Sequence, residues 1–434
     1  MMTQGGGAAP VGGLVLRPGP SRRSLVAITD PDVVLGAVLA TWILFPASRV
    51  PPKIGWALLA LSLALVLVAL GRYADRLRWS APATLLLLPG LCAVLSAPRY
   101  GSLADLLQTA ATTLLLVGCA LLAAHCDRRR TDRLIVLVLL VALAELAVAA
   151  ASAVLGTPAP WGYLGEPGAL FGVNELLPAV GGRATGTMAH PIPFGTLMAV
   201  ASVLALFALP RYGRSVRVAA SAGFAAGVLL SGSRSAALVL AVCLVLGWFW
   251  PGVARVGAPA RLVLVGGVAA ALFRVDLAGL TAVSSLAESG SLTHRLGAVD
   301  AGFRLLGRPA GELLLGSGAG SLPALFADGL LQQDGFRAVD NQVVTTFALA
   351  GLVGVAALLA AVGTGLLRGD RASRPAALVV VLMFLSFDVL QWTAAAVLLA
   401  VLIPLGTARP TSADVGEDPH GGWGHDDRRG NLAR

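Results

Sequence analysis

Charge is scarce in this chain. Of its 434 residues only 13% are Asp, Glu, Lys or Arg, whereas 56% are hydrophobic and the mean hydropathy is +0.81. That balance excludes a large water-soluble domain, which needs a charged surface. Lysine is nearly absent: Lys53 stands alone, and every other basic residue is Arg. Together with the abundance of Ala, Gly, Leu and Val, this reflects a GC-rich genome rather than a chemical requirement. Cysteine is sparse too. Cys92, Cys119 and Cys243 lie in apolar runs and Cys126 lies in a basic loop, with no CxxC spacing. A disulfide framework and a metal site are therefore not expected. The one Asp-x-Asp motif, Asp30-Pro31-Asp32, reads as a helix cap with Pro just inside, and secondarily as a metal-binding pair of glycosyltransferase type.

What the chain does have is apolar runs, one after another. The stretches 54–71, 82–98 and 106–124 carry no charge, and 134–156 carries one, Glu145. A helix needs about 20 apolar residues to cross the hydrocarbon core of a bilayer, with shorter runs at the low end. The expected fold is an all-α polytopic membrane protein of about 12 transmembrane helices. The spans are expected near 33–47, 54–71, 82–98, 104–124, 134–156, 191–209, 218–231, 235–250, 262–275, 342–367, 376–389 and 393–407.

The arginines orient this array. If residues 1–32, with Arg17, Arg22 and Arg23, are cytoplasmic, each even-numbered span returns the chain to the cytoplasm. The loops there are the basic ones, and 22 of the 32 basic residues fall on that side. The net charge of +9 thus reads as topology, not as a nucleic-acid face. Both termini are expected in the cytoplasm, in a cytoplasmic (inner) membrane. Segment 33–275 carries the first nine spans, 276–341 forms an outer-face loop subdomain, 342–407 holds the last three spans, and 408–434 is a disordered tail.

Topology does not explain the arginines expected on the outer face. Arg234, in Ser231-Gly232-Ser233-Arg234-Ser235, interrupts one apolar stretch as a tight turn. A charge near membrane depth is costly and by default functional, the alternative being an arginine that snorkels to lipid phosphates. Arg183 precedes Gly186 and His190-Pro191, where a helix N-terminus with its free amides favours anions; a loop arginine and a capping histidine is the other reading. Residues 292–307 read as an amphipathic helix with Leu292, Leu296, Val299, Phe303 and Leu306 on its buried stripe. That places Arg295 at the stripe's border and turns Arg304 and Arg308 toward solvent. Gly316-Ser317-Gly318-Ala319-Gly320-Ser321 lacks the Lys of a P-loop and reads as a tight turn or as backbone close to substrate. Asp340-Asn341 opens a span either as a cap or with Asp340 as a proton acceptor. Glu145, mid-span, is expected to face the interior and pair there.

In order and spacing these motifs resemble the O-antigen ligase and polysaccharide polymerase family. The carrying features are Arg183…Gly186…His190-Pro191, the Ser-Arg hairpin at 231–236, Arg295…Arg308-Pro309…Gly316–Gly320, and Asp340-Asn341…Gly351-Leu352-Val353-Gly354. The family's ligases carry His where this chain has Asp340. The resemblance implies a GT-C-like helical fold. It also implies transfer of a glycan from a polyprenyl-diphosphate carrier to a hydroxyl of a glycan or lipid acceptor, on the outer face, with no cofactor. Arg183, Arg234, Arg295, Arg304, Arg308 and Asn341 would hold the donor's diphosphate, Arg234 and Arg295 acting in catalysis as well, and Asp340 or His190 would take the acceptor's proton. The alternative is a lipid-linked glycan flippase, for which internal repeats and a mid-membrane polar path are the expected signs.

Overall fold

A computed structural model describes residues 29–77, 79–161, 170–249, 290–370 and 373–407. The described residues form α-helices joined by turns and short 3-10 segments, with one isolated antiparallel bridge, Phe171 to Arg183. The helices are α1 (Pro31–Leu44), α2 (Pro52–Arg72), α3 (Ala81–Ser96), α4 (Leu103–Ala124), α5 (Arg128–Leu155), α6 (Pro191–Phe207), α7 (Arg214–Ser231) and α8 (Arg234–Phe249). After these come α9 (Gly290–Leu305), α10 (Ala310–Leu315), α11 (Leu322–Ala327), α12 (Gln342–Arg368), α13 (Arg374–Leu382) and α14 (Thr393–Leu402). A helix occupies every expected range except 262–275, which lies outside the described residues.

Five helices, α2, α3 taken with the 3-10 turn that continues it to Arg99, α4, α5 and α12, are long and apolar enough to cross a membrane; α1, α6, α8, α13 and α14 are apolar but shorter. The long helices expose Leu61, Leu67, Val68, Leu95, Leu140 and Leu143, side chains that a helix facing water rarely leaves bare. Local chemistry sets the ends. Ser102 and Asp105 form a reciprocal capping box at α4, Asp127 caps α5, and Gly156 closes α5 in the left-handed conformation.

Contacts between loops sort the helix ends into two sets. At one end Tyr73 donates to Asp30 at 3.0 Å, Arg133 meets Asp32 at 3.2 Å and Arg211 meets Asp132 at 3.6 Å. At the other, the Trp161 indole donates to the Leu44 carbonyl at 2.6 Å, Ser96 to Leu315, and Thr345 to Asp388 at 2.6 Å. The second set joins the loops expected outside. Glu145 gains its partner on this side of the core. It is fully buried, its Oε2 accepts from the Thr187 amide at 2.7 Å, and its Oε1 lies 2.5 Å from the Thr187 hydroxyl.

The described part of the late loop, α9 to α11, has its own small core of Ala298, Ala301, Leu305, Leu325 and Phe326 against Phe347 and Ala348 of α12. Here the expected buried face is reversed. Leu296, Val299, Phe303 and Leu306 are exposed, and the narrow Ala298–Ala301–Leu305 side is inside. Periodicity finds an apolar stripe but not which medium it faces, and an apolar face turned outward suits a helix lying on lipid. Arg308 is a second correction: it is buried, not turned to solvent.

Arg308 is buried because α12 is broken. Gly351 has φ 64° and ψ −166°, a region open to little but glycine, and the helix is discontinuous there. Carbonyls just before the break turn to outside donors. Arg308 gives Nη2 to Phe347 at 2.9 Å and Nη1 to Ala348 at 3.0 Å, while the amides of Ser317 and Gly318 reach Ala348 and Leu349 at 2.9 and 3.0 Å. The next amide, Ala319, serves the Ala93 carbonyl at the end of α3 at 2.9 Å. The glycine-rich turn is thus a wedge that caps two helices, and those amides are already engaged. Replacing Arg308 by Met leaves buried carbonyls bare and is expected to cost about 2–4 kcal/mol, whereas the exposed Arg304→Met costs no more than about 0.5 kcal/mol. Thermal unfolding of the purified full-length variants in detergent measures both; equal losses would contradict the capping role.

Candidate functional site

Arg183 and Arg234 meet at the α7–α8 hairpin. Gly232 ends α7 with φ 59°, and a Cβ there would come within 2.7 Å of Arg183 Cγ and 2.9 Å of Asn174 Oδ1. Backbone pairing of Arg183 with Phe171 at 2.8 and 2.9 Å fixes the strand-like approach. Arg183 Nε then donates to the Ser231 carbonyl at 3.0 Å, with its guanidinium 5.7 Å from the Phe171 ring centre. Asn174 completes the cap by donating to Leu229 and Leu230, both at 3.0 Å. Burial pushes the Arg183 guanidinium down to about 10, so it stays charged at neutral pH. Arg234 is ion-paired with Glu175, and both are partly exposed.

His190 caps α6: its Nδ1 accepts from the Ile192 amide at 3.3 Å. Its ring lies between Phe171 and Trp392, with centroids 5.4 and 5.6 Å away. Burial, then the nearby Arg183 charge, push it down to about 4. It is neutral near pH 7 and a weak base. Asn341 caps α12, its Oδ1 accepting from the amides of Val343 at 3.0 Å and Val344 at 3.2 Å.

The expected residues therefore do not gather in one place. Arg183, Arg234 and His190 share the hairpin region. Arg308 sits at the break in α12, Arg304 is exposed on α9, and the side chain of Arg295 lies outside the described residues. Asp340 and Asn341 stand at the head of α12, where the Asp340 charge acts on a second carboxylate, Asp388. The helix expected over 376–389 ends as a 3-10 turn at Leu385, so Asp388 lies in the connection to α14. Burial pushes Asp388 up to about 7 and the Asp340 charge adds to that, against the opposing hydrogen bond from Thr345 and the amide of Asn341.

Beside this connection lies a cavity of about 490 Å³, walled by α3, α4, α12 and α14 and by Ala319 and Gly320 of the glycine-rich turn. Two polar stripes face into it. Asp105, Gln108, Thr109, Thr112 and Thr113 come from α4, and Gln342, Thr345 and Thr346 from α12. Gln391 and Thr393, the neighbours of Trp392, contribute from the third side, and Leu86, Leu116 and Leu399 make the apolar part. Gln342 holds the wall together: its Oε1 accepts from the Leu390 amide at 2.6 Å and its Nε2 donates to Thr346 at 2.8 Å. The sequence carried a signal for this site. Positions 105, 108, 109, 112 and 113 repeat at helical spacing, yet a run without charge reads as uniformly apolar.

Hydroxyls and amides converging on a space this large, with an apolar end, suit an amphipathic ligand whose polar part is rich in hydroxyl groups. Among the described residues no group of His, Cys, Asp and Glu side chains is arranged to hold a metal. Compared with known proteins, the chain matches no family model and no curated protein.

Asp388 makes stability depend on pH in a stated direction. Its ordinary value is 3.8, and in the folded chain it holds its proton to about 7. Its contribution is complete below the lower value and is lost as pH rises through the upper one. His190 has the opposite sign, losing stability as pH falls from 6.5 toward about 4. Asp388→Asn, which keeps an oxygen for Thr345, is expected to match the parent below about pH 4 and to exceed it by a growing margin as pH rises from there to about 7. Unfolding temperatures across that range test this, and parallel curves would reject the burial of Asp388.

Proposed function

We propose that the chain is a membrane-embedded glycan transferase. It moves a glycan from a polyprenyl-diphosphate carrier to an acceptor hydroxyl on the outer face of the cytoplasmic membrane, in the manner of the ligases and polymerases its motifs resemble. The observation that carries the reading is the amphipathic cavity at the end of the bundle where the loops expected outside converge. Sugar hydroxyls are matched by Gln108, Thr109, Thr112, Gln342 and Gln391, and an isoprenoid chain by Leu86, Leu116 and Leu399. A dozen spans in a GT-C-like arrangement belong to this proposal; the expected ninth, at 262–275, lies outside the described residues.

In the transfer, the bond from the sugar to the carrier phosphate breaks, a bond from the sugar to the acceptor oxygen forms, and the acceptor loses a proton. Negative charge grows on the diphosphate, where preorganised guanidinium groups are most effective. Arg234 is the candidate. A partly exposed ion pair such as Arg234–Glu175 is worth only about 0–1 kcal/mol, so a diphosphate can replace Glu175. Arg183 supports it through Ser231 and Gly232. For the proton, Thr345 lies in the cavity wall and donates to Asp388 at 2.6 Å. That relay, beside Asp340, is a better acceptor than His190, which binds a proton only near pH 4.

A second reading is favoured by one observation, the discontinuous α12. Broken helices frame the substrate sites of many transporters, and a flippase for the same lipid-linked glycan fits that feature.

The test uses the source organism with its chromosomal copy deleted and full-length variants supplied in trans. Gln108→Leu with Thr112→Val removes two cavity groups that make no described hydrogen bond. Surface glycan is expected to fall about tenfold or more at unchanged protein level. Arg234→Ala is expected to fall at least as far. Normal glycan from both variants would sink the transferase reading. In the deletion strain, lipid-linked units on the outer leaflet support transfer, and units held on the cytoplasmic leaflet support the flippase.

A further inference from the structure

At the opposite end of the bundle from the cavity, α5, α6 and α7 enclose a groove of about 390 Å³. Its walls are Leu139, Leu143, Leu146, Ala220, Gly223 and Phe224, and Tyr212 and Arg217 close one end. Leu140, Leu143 and Val216 are more than half exposed, so the groove opens sideways, where a membrane helix meets lipid.

Arg217 does not match these walls. It is only 8% exposed, yet no described carboxylate lies within 4 Å of it. Its Nη1 donates to the Leu206 carbonyl in the last turn of α6 at 3.1 Å, while its buried Nε has no acceptor. A helix C-terminus supplies about half a negative charge at most, which leaves the guanidinium under-compensated. The charged neighbours add to the excess. Arg211 precedes α7 and Arg214 begins it, residues 208–217 hold no acidic side chain, and Asp132 is paired with Arg211 at 3.6 Å. Burying a cation beside apolar walls is costly unless an anion accompanies it.

We propose that this groove is a binding site for an anionic phospholipid, an acyl chain lying along Leu139, Leu143 and Phe224 and the phosphate resting at Arg217. Tyr212, at the same end, has the amphipathic ring that favours the interface between headgroups and hydrocarbon. An anionic headgroup is specified rather than a zwitterionic one, because the latter brings its own cation to a segment, 211–217, that already holds three arginines. The site is independent of the transferase reading and lies at the other end of the molecule.

The test uses the full-length protein, delipidated in mild detergent, with phosphatidylglycerol and phosphatidylcholine of identical chains titrated under native mass spectrometry. Phosphatidylglycerol is expected to bind about fivefold more tightly, and Arg217→Gln to erase that preference. Gly223→Leu, whose Cβ meets no atom within 4 Å, fills the groove and is expected to weaken both lipids. Equal affinity of the two lipids for the unaltered protein overturns the proposal, as does a preference that survives Arg217→Gln. If Arg217→Gln fails to fold, unchanged phosphatidylglycerol binding by Gly223→Leu overturns it instead. Inorganic phosphate that competes as strongly as the lipid overturns it too, since then an anion alone is recognised.

Discussion

Backbone carbonyls that lose their helical partners away from water must find others, and one end of this bundle is organised around that requirement. The break at Gly351 turns the carbonyls of Phe347, Ala348 and Leu349 out of α12. Arg308 and the turn from Gly316 to Gly320 answer them, and the same turn reaches across to the end of α3. Ser317 also accepts from Arg308 at 2.9 Å and donates to Glu312 at 2.9 Å, and Glu312 is paired with Arg99. Thus one strained glycine fixes the late loop against α3 and α12, and these are two of the walls of the polar cavity. Without the wedge, Ala319 and Gly320 would have no reason to stand at the cavity's edge.

The same principle accounts for three arginines, two of which, Arg183 and Arg308, topology alone did not explain. Arg183 donates to Ser231 at the C-terminus of α7, Arg308 to the carbonyls at the break in α12, and Arg217 to Leu206 at the C-terminus of α6. In each case a guanidinium meets the negative end of a helix where water is scarce, and at Arg308 its several donors serve more than one acceptor. An arginine against the topology rule therefore has two physical causes, substrate charge and helix capping. Here capping engages Arg183 and Arg308 and leaves Arg234 with a replaceable partner.

Much of the helix placement was legible in the sequence, because apolar runs are local signals. The caps at Ser102, Asp127, His190 and Asn341 were of the same local kind, although only the last two stood out. What stayed hidden was non-local. The helix-end carbonyls that Arg183 and Arg308 reach, Ser231, Phe347 and Ala348, lie 39 to 48 residues away along the chain, and no spacing rule encodes that. The partner of Glu145, Thr187, is 42 residues away. The stripe on α9 was found but given the wrong medium, since periodicity is blind to whether the outside is water or lipid. The cavity was missed for a different reason. Thr and Gln carry no charge, so 106–124 passed as a plain span although its first turns present hydroxyls and an amide on one face.

The position of these polar groups constrains what any ligand must be. A stripe of Gln and Thr on α4 faces another on α12, and neither is paired off across the gap by a described hydrogen bond, except where Gln342 and Thr345 tie the α12 wall to the α13–α14 connection. Uncharged donors and acceptors in this number are costly to leave unmatched at membrane depth and serve poorly as an ion path, which concentrates charge instead. They suit a ligand with many hydroxyls and few charges over most of its length. The charged end of such a ligand then belongs at the rim, where His190 and Trp392 connect the cavity wall to Arg183 and the α7–α8 hairpin. A glycan joined to a lipid diphosphate has that distribution: neutral polar rings, one anionic joint and an apolar tail. In the proposed transferase the chemistry of the site would therefore be divided by position, with sugar recognition inside the walls and charge stabilisation at the hairpin.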